Sequence, residues 1–144
     1  QGGNMGGWSL YLDQGGRPTY LYNWFGHTLT FLASDSVLNE GRHDIVVEYT
    51  HDGGFGAGGD AVLIVDGVQS AQGRIPQTVP VIYSMSGETF DVGRDTGSPV
   101  GPYPHNFRFS GEIEQVVLER LSDVSAETKS AERRGQFKAS LSSQ

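Results

Sequence analysis

The 144-residue chain has no cysteine. That absence excludes a disulfide framework, a thiolate zinc site and a cysteine nucleophile. Long apolar runs are missing too: nothing approaches the roughly 18 consecutive apolar residues of a membrane-spanning helix. Basic residues are scarce, ten Lys and Arg against seventeen Asp and Glu, for a net charge of −7. A nucleic-acid backbone is therefore a poor partner, and the acidic surface mainly confers solubility. The opening QGGNMGG has neither the basic region nor the apolar core of a signal peptide. It also lacks an initiating methionine, so a fragment of a longer chain is expected. What the sequence has in abundance is glycine, 21 residues, which with a hydrophobic content of 36% suits one loop-rich β domain.

The most informative stretch is His51 to Gly67, HDGGFGAGGDAVLIVDG. A glycine loop over residues 53–59 runs into the apolar segment Ala61 to Val65, which reads as a strand buried on both faces. Asp66-Gly67 then predicts a hairpin turn, because a type I′ turn requires positive φ at both central positions. Upstream, Trp8 to Asp13, Arg17 to Phe25, Thr28 to Ser34 and Arg42 to Thr50 alternate apolar and polar residues as half-buried strands do. Downstream, strands are expected at 68–73, at 77–84 (an edge strand, given Pro80), at the start of 88–100, at 106–110 and at 112–121. About ten short strands separated by turns, with no amphipathic helix before residue 122, predict an all-β, two-sheet antiparallel β-sandwich, jelly-roll-like. Residues 1–7 form a flexible lead-in, 8–121 the sandwich, and 122–144 a polar tail, disordered or partly helical.

Candidate chemistry is sparse. Asp91 and Asp95 lie four apart in a glycine-containing loop, a source of oxygen ligands for a hard cation such as Ca²⁺. The simpler reading is a turn whose carboxylates accept nearby amides. The glycine loop lacks the Lys-Ser/Thr ending of a phosphate cradle and leads into a strand, so phosphate binding is not expected. His27, His43, His51 and His105 occupy four separate segments without metal-ligand spacing. His43 is in phase with apolar residues and reads as a satisfied core histidine, while His27 and His51 are loop residues able to meet a ligand. Tyr20, Tyr22 and Trp24 form an aromatic stripe at strand spacing. Buried, the stripe is core or an interdomain contact; exposed, it stacks on sugar rings. No nucleophile elbow is present.

Five stretches together resemble the C-terminal domain of bacterial arylsulfatases: residues 6–26 (GGWSLYLDQGGRPTYLYNWFG), 51–67, GRIPQTVP (73–80), ETFDVGRDTGSPV (88–100) and FRFSGEIEQVVLE (107–119). The resemblance implies a β-sandwich appended to a catalytic domain that uses a formylglycine and a bound calcium. The formylglycine precursor motif C/S-x-P-x-R is missing here, so no catalytic residue carries over. What it implies is a non-catalytic accessory role: packing on a sulfatase catalytic domain, in the same or a separate chain, and lining its aryl sulfate cleft. The alternative is an autonomous carbohydrate-binding module.

Overall fold

In the computed structural model, residues 1–81 and 90–121 are described. The chain divides into two units, Gln1–Ile113 and Glu114–Gln144. Among its described residues the first unit carries seven strands: β1 (Gly2–Gly3), β2 (Gly6–Leu12), β3 (Pro18–Trp24), β4 (Thr28–Ala33), β5 (Ile45–His51), β6 (Ala57–Val65) and β7 (Val68–Gln77). They form a four-stranded sheet in the order β1-β2-β3-β4 and a three-stranded sheet in the order β5-β6-β7, each antiparallel throughout. This is the expected two-sheet antiparallel sandwich. Among the described strands each sheet is a sequential meander, without the interleaving of strands that a jelly roll shows.

The register assigns the faces. Tyr20 and Tyr22 on β3 stand opposite Leu10 and Trp8 on β2 and opposite Leu32 and Thr30 on β4. Period-2 alternation puts these side chains on one face. That face meets Val47, Ala61, Ala71 and Ile75 of the second sheet in a single core cluster. The other face of β3 carries Thr19, Leu21 and Asn23, all buried. Here the cover is not a sheet but the irregular segment around Val100, itself 2% exposed. Gly101 passes so close over Leu21 that a Cβ on it would overlap the leucine side chain, which requires glycine there. Beside them Tyr11, Tyr103 and Phe107 stack, with ring centroids 5.0–6.2 Å apart.

β3 is therefore the strand buried on both faces, a position the sequence suggested for β6. The difference lies in β6's outer face, where Asp60 and Val62 stand opposite Thr50 and Glu48 on one side and Arg74 and Gln72 on the other. That face is polar and needs no cover.

Asn23 ties the two layers over β3 together. Its Nδ2 donates to the carbonyls of Val100 at 2.8 Å, Asn4 at 3.1 Å and Gly3 at 3.4 Å. Its Oδ1 accepts the Gly26 amide at 2.7 Å. A buried amide this fully satisfied stabilises one arrangement of three chain segments.

Turn chemistry follows the sequence closely. Asp13 accepts the amides of Gly15 and Arg17 and pairs with the Arg17 guanidinium at 2.8 Å. The Arg17 amide is the main reason its carboxyl lies below the usual carboxylate range. Asp66 and Gly67 have φ of 51° and 76°, as a type I′ turn demands. The Asp66 carboxylate accepts the Asp44 amide at 2.9 Å and pairs with His43 Nδ1 at 2.7 Å. His43 Nε2 also reaches the Asn39 carbonyl at 2.9 Å. Two acceptors suit the doubly protonated ring, and the Asp66 bond raises its pKa above the ordinary histidine value. His43 is thus satisfied, but half-buried ahead of β5 and not within the core.

Several expected elements differ. The lead-in expected to be flexible instead pairs as β1, with Gly2 opposite Gly7 and Gly3 opposite Gly6. Gly58 and Gly59 belong to β6, so the loop is shorter than the glycine run. Of the expected edge strand at 77–84, residues 78–81 are irregular and 82–84 lie outside the described residues, as do the 122–144 tail and residues 88–89. The expected strands at 106–110 and 112–121 do not form; an isolated antiparallel bridge joins Arg94 to Arg108. The described part of the second unit, 114–121, has no regular secondary structure and exposes Val116, Val117 and Leu118.

Replacing Asn23 with Leu leaves three carbonyls and one amide without their partner. The expected loss is about 2–4 kcal/mol in urea denaturation, against less than about 1 kcal/mol for Leu29→Ala on the exposed side of β4. Equal losses for the two variants would remove Asn23 from its central place.

Candidate functional site

The β3–β4 hairpin places most of the aromatic candidates. Its loop is tight: Phe25 and Gly26 have φ of 51° and 70°, and the His27 amide closes the turn on the Trp24 carbonyl at 3.0 Å. Asn23 Oδ1 holds the Gly26 amide from beneath. A non-glycine residue at positive φ costs energy, and here the buried asparagine helps to offset it. Trp24 is thereby presented at the end of the sandwich, half-buried, with Phe25 at 5.4 Å and the exposed His27 ring at 6.3 Å from its centroid.

Beside this cluster Tyr22, Trp24, Thr28 and Thr30 from the first sheet face Pro76 and Gln77 at the end of β7. Together they line a cleft of about 70 Å³ between the two sheets. Tyr22 is 3% exposed, yet its hydroxyl accepts the Val79 amide at 2.9 Å and so fixes the chain just past β7. Tyr20, one turn of the pleat deeper and 6% exposed, is core. The stripe thus splits: Tyr20 is packing, Tyr22 is the cleft floor, and Trp24 is its wall.

His51 ends β5 and stands near the same end through Thr78. Its Nδ1 accepts the Gly53 amide at 3.0 Å, which leaves the proton on Nε2, facing Thr78 Oγ1 at 3.5 Å. Thr78 in turn donates to the Ala57 carbonyl at 2.7 Å. His51 is exposed and packs edge-on against Tyr49, with centroids 6.1 Å apart, but does not line the cleft. His27 and His51 are both at the surface, on different sheets.

The Asp91–Asp95 loop uses its carboxylates internally. Asp91 Oδ2 accepts the Thr96 amide at 2.8 Å and the Thr96 hydroxyl at 2.6 Å, and these bonds hold its pKa below the usual range. Asp95 Oδ2 accepts the Tyr103 hydroxyl at 2.8 Å. Burial raises the Tyr103 pKa well above that of an ordinary phenol. Among the described residues no group of three or more His, Asp or Glu is placed to hold a metal ion.

Sequence reasoning missed Thr28, Thr30, Pro76 and Gln77. The threonines were recoverable in principle, since β4 pairs them directly opposite Trp24 and Tyr22. Pro76 and Gln77 come from the other sheet, and no local pattern predicts which strand end closes on which. Comparison with protein-family models, curated proteins and solved structures finds no match.

Tyr22→Phe removes the acceptor of the Val79 amide and leaves the ring in place. The expected outcome is a folded protein, weakened by about 1 kcal/mol, whose Val79 amide exchanges with solvent about fivefold faster. Unchanged exchange would mean the hydroxyl does not hold the cleft margin.

Proposed function

We propose that this chain is a non-catalytic accessory domain of an arylsulfatase-like sulfuric ester hydrolase, packing on the catalytic domain and walling part of its substrate cleft. The observation that carries the reading is a face left half covered. On the outer side of the first sheet, the segment around Val100 closes over β2 and β3. Leu29 and Phe31 continue that same face on β4, opposite Asn23 and Leu21, and stand 39% and 47% exposed. A sheet face that is sealed along two strands and bare apolar along the third suits a covering partner. Among the described residues, exposed large apolar side chains also outnumber the buried hydrophobic ones.

The cleft supports the same reading. Its volume of about 70 Å³ is far below the roughly 300–1,000 Å³ of a complete small-molecule site. Trp24, Thr28, Thr30 and Gln77 therefore make one wall, which a second domain would complete. A self-sufficient sugar site would need a longer aromatic platform, and Tyr20 and Tyr22 are turned into the core. Any formylglycine belongs to the catalytic domain, because the motif that generates it does not occur in this sequence.

The test is hydrolysis of a chromogenic aryl sulfate by the 144-residue chain and by the longest natural polypeptide that contains it. Activity is expected only in the longer polypeptide. There, Trp24→Ala should lower kcat/KM roughly tenfold, mainly through KM, as expected for loss of a binding wall. Activity in the isolated chain would overturn the reading. Inactivity of both, with binding of the isolated chain to a glycan array, would favour the carbohydrate-binding module.

A further inference from the structure

An isolated bridge outside the two sheets brings two arginines together. The Asp95 amide donates to the Phe107 carbonyl at 2.9 Å, and the Phe109 amide to the Gly93 carbonyl at 2.8 Å. These bonds flank the facing residues Arg94 and Arg108, which are thus a non-hydrogen-bonded antiparallel pair. Such pairs have the shorter Cα separation, about 4.5 Å, and project both side chains from the same face. Two like charges directly opposite each other are destabilising. The protein carries net charge −7, so carboxylates are plentiful, yet neither guanidinium forms a salt bridge among the described residues. Asp91, whose carboxyl is held below the usual range first by Thr96 and last by the Arg94 charge, already accepts the Thr96 amide and hydroxyl.

The pair lines a groove of about 390 Å³ with Val92, Gly93, Phe109, Gly111 and Ile113. That volume falls within the roughly 300–1,000 Å³ of small-molecule sites, unlike the cleft at Trp24. Val92, Phe109 and Ile113 are all exposed, so the groove offers apolar surface next to two guanidiniums that form no salt bridge among the described residues. Arginine donates in a planar fork that matches the oxygens of a carboxylate, sulfate or phosphate. We propose that the Arg94–Arg108 groove binds a small organic oxyanion, its charged group held between the two guanidiniums and its apolar body against Phe109, Val92 and Ile113. Such a ligand relieves the repulsion built into the bridge and covers the exposed apolar surface in one step. The proposal is independent of the accessory-domain reading, since it invokes neither the catalytic domain nor the cleft at Trp24.

The experiment is an NMR titration of the ¹⁵N-labelled 144-residue chain with phenyl phosphate at low ionic strength, repeated with inorganic phosphate. Saturating shifts are expected at the amides of Gly93 and Gly111, weaker with inorganic phosphate and weakened by added salt. Arg94→Gln and Arg108→Gln should each reduce affinity for phenyl phosphate roughly tenfold or more, with Arg108→Lys between them and the native protein. Arg17→Gln, in the β2–β3 turn, should leave it unchanged. Spectra of the variants without ligand establish that each is folded. Three results would overturn the proposal: no saturating shifts at these glycines, affinity indifferent to both glutamine substitutions, or equal affinity for phenyl and inorganic phosphate.

Discussion

The burial of β3 on both faces is the constraint on which the rest of the first unit depends. Tyr20 and Tyr22 on one side join the core shared with β6 and β7, while Leu21 and Asn23 on the other lie beneath the segment around Val100. Neither cover alone explains the strand. A buried asparagine is costly unless every polar atom is paired, and Asn23 is paired only when β1, the β3–β4 turn and Val100 are all in place. That single amide makes the irregular segment, distant in sequence, part of the sandwich.

The same strand positions the candidate site. The turn that follows Asn23 carries Trp24, Phe25 and His27 to one end, and the Tyr22 hydroxyl holds the chain beyond β7 against them. Structure and surface chemistry are thus linked through residues 22 to 26. The second cluster, at Arg94 and Arg108, hangs on the segment that seals the opposite face of β3. Both candidate surfaces lie beside the layers that bury one strand.

How much of this was legible in the sequence depends on whether local pattern suffices. Alternation located β2, β3, β4 and β5 to within a few residues, and Asp66-Gly67 announced its turn, because both signals act over neighbouring residues. Alternation does not say whether a face is covered once or twice. For that reason the apolar run at Ala61–Val65 suggested the doubly buried strand, while β3, with Thr19, Tyr20, Tyr22 and Asn23, looked half-polar. The β-branched and apolar residues of 112–121 have strand composition, but a strand also needs a partner edge, and none pairs with them among the described residues. β1 had the opposite problem: Gly2-Gly3 carries no strand signal, and only the pairing with Gly6-Gly7 makes it one. The two arginines went unnoticed because fourteen positions separate them in sequence and only the bridge register makes them neighbours.

Native-state hydrogen exchange tests the central claim most directly. If β3 is the strand on which both layers depend, its Leu21 and Tyr22 amides exchange only through global unfolding and are the most protected in the protein. Asn23→Leu should then lower the protection of β3 and of the Val100 segment together. Amides of Leu63 and Ile64 in β6 that outlast those of β3, or a Val100 segment that opens without affecting β3, would contradict the account.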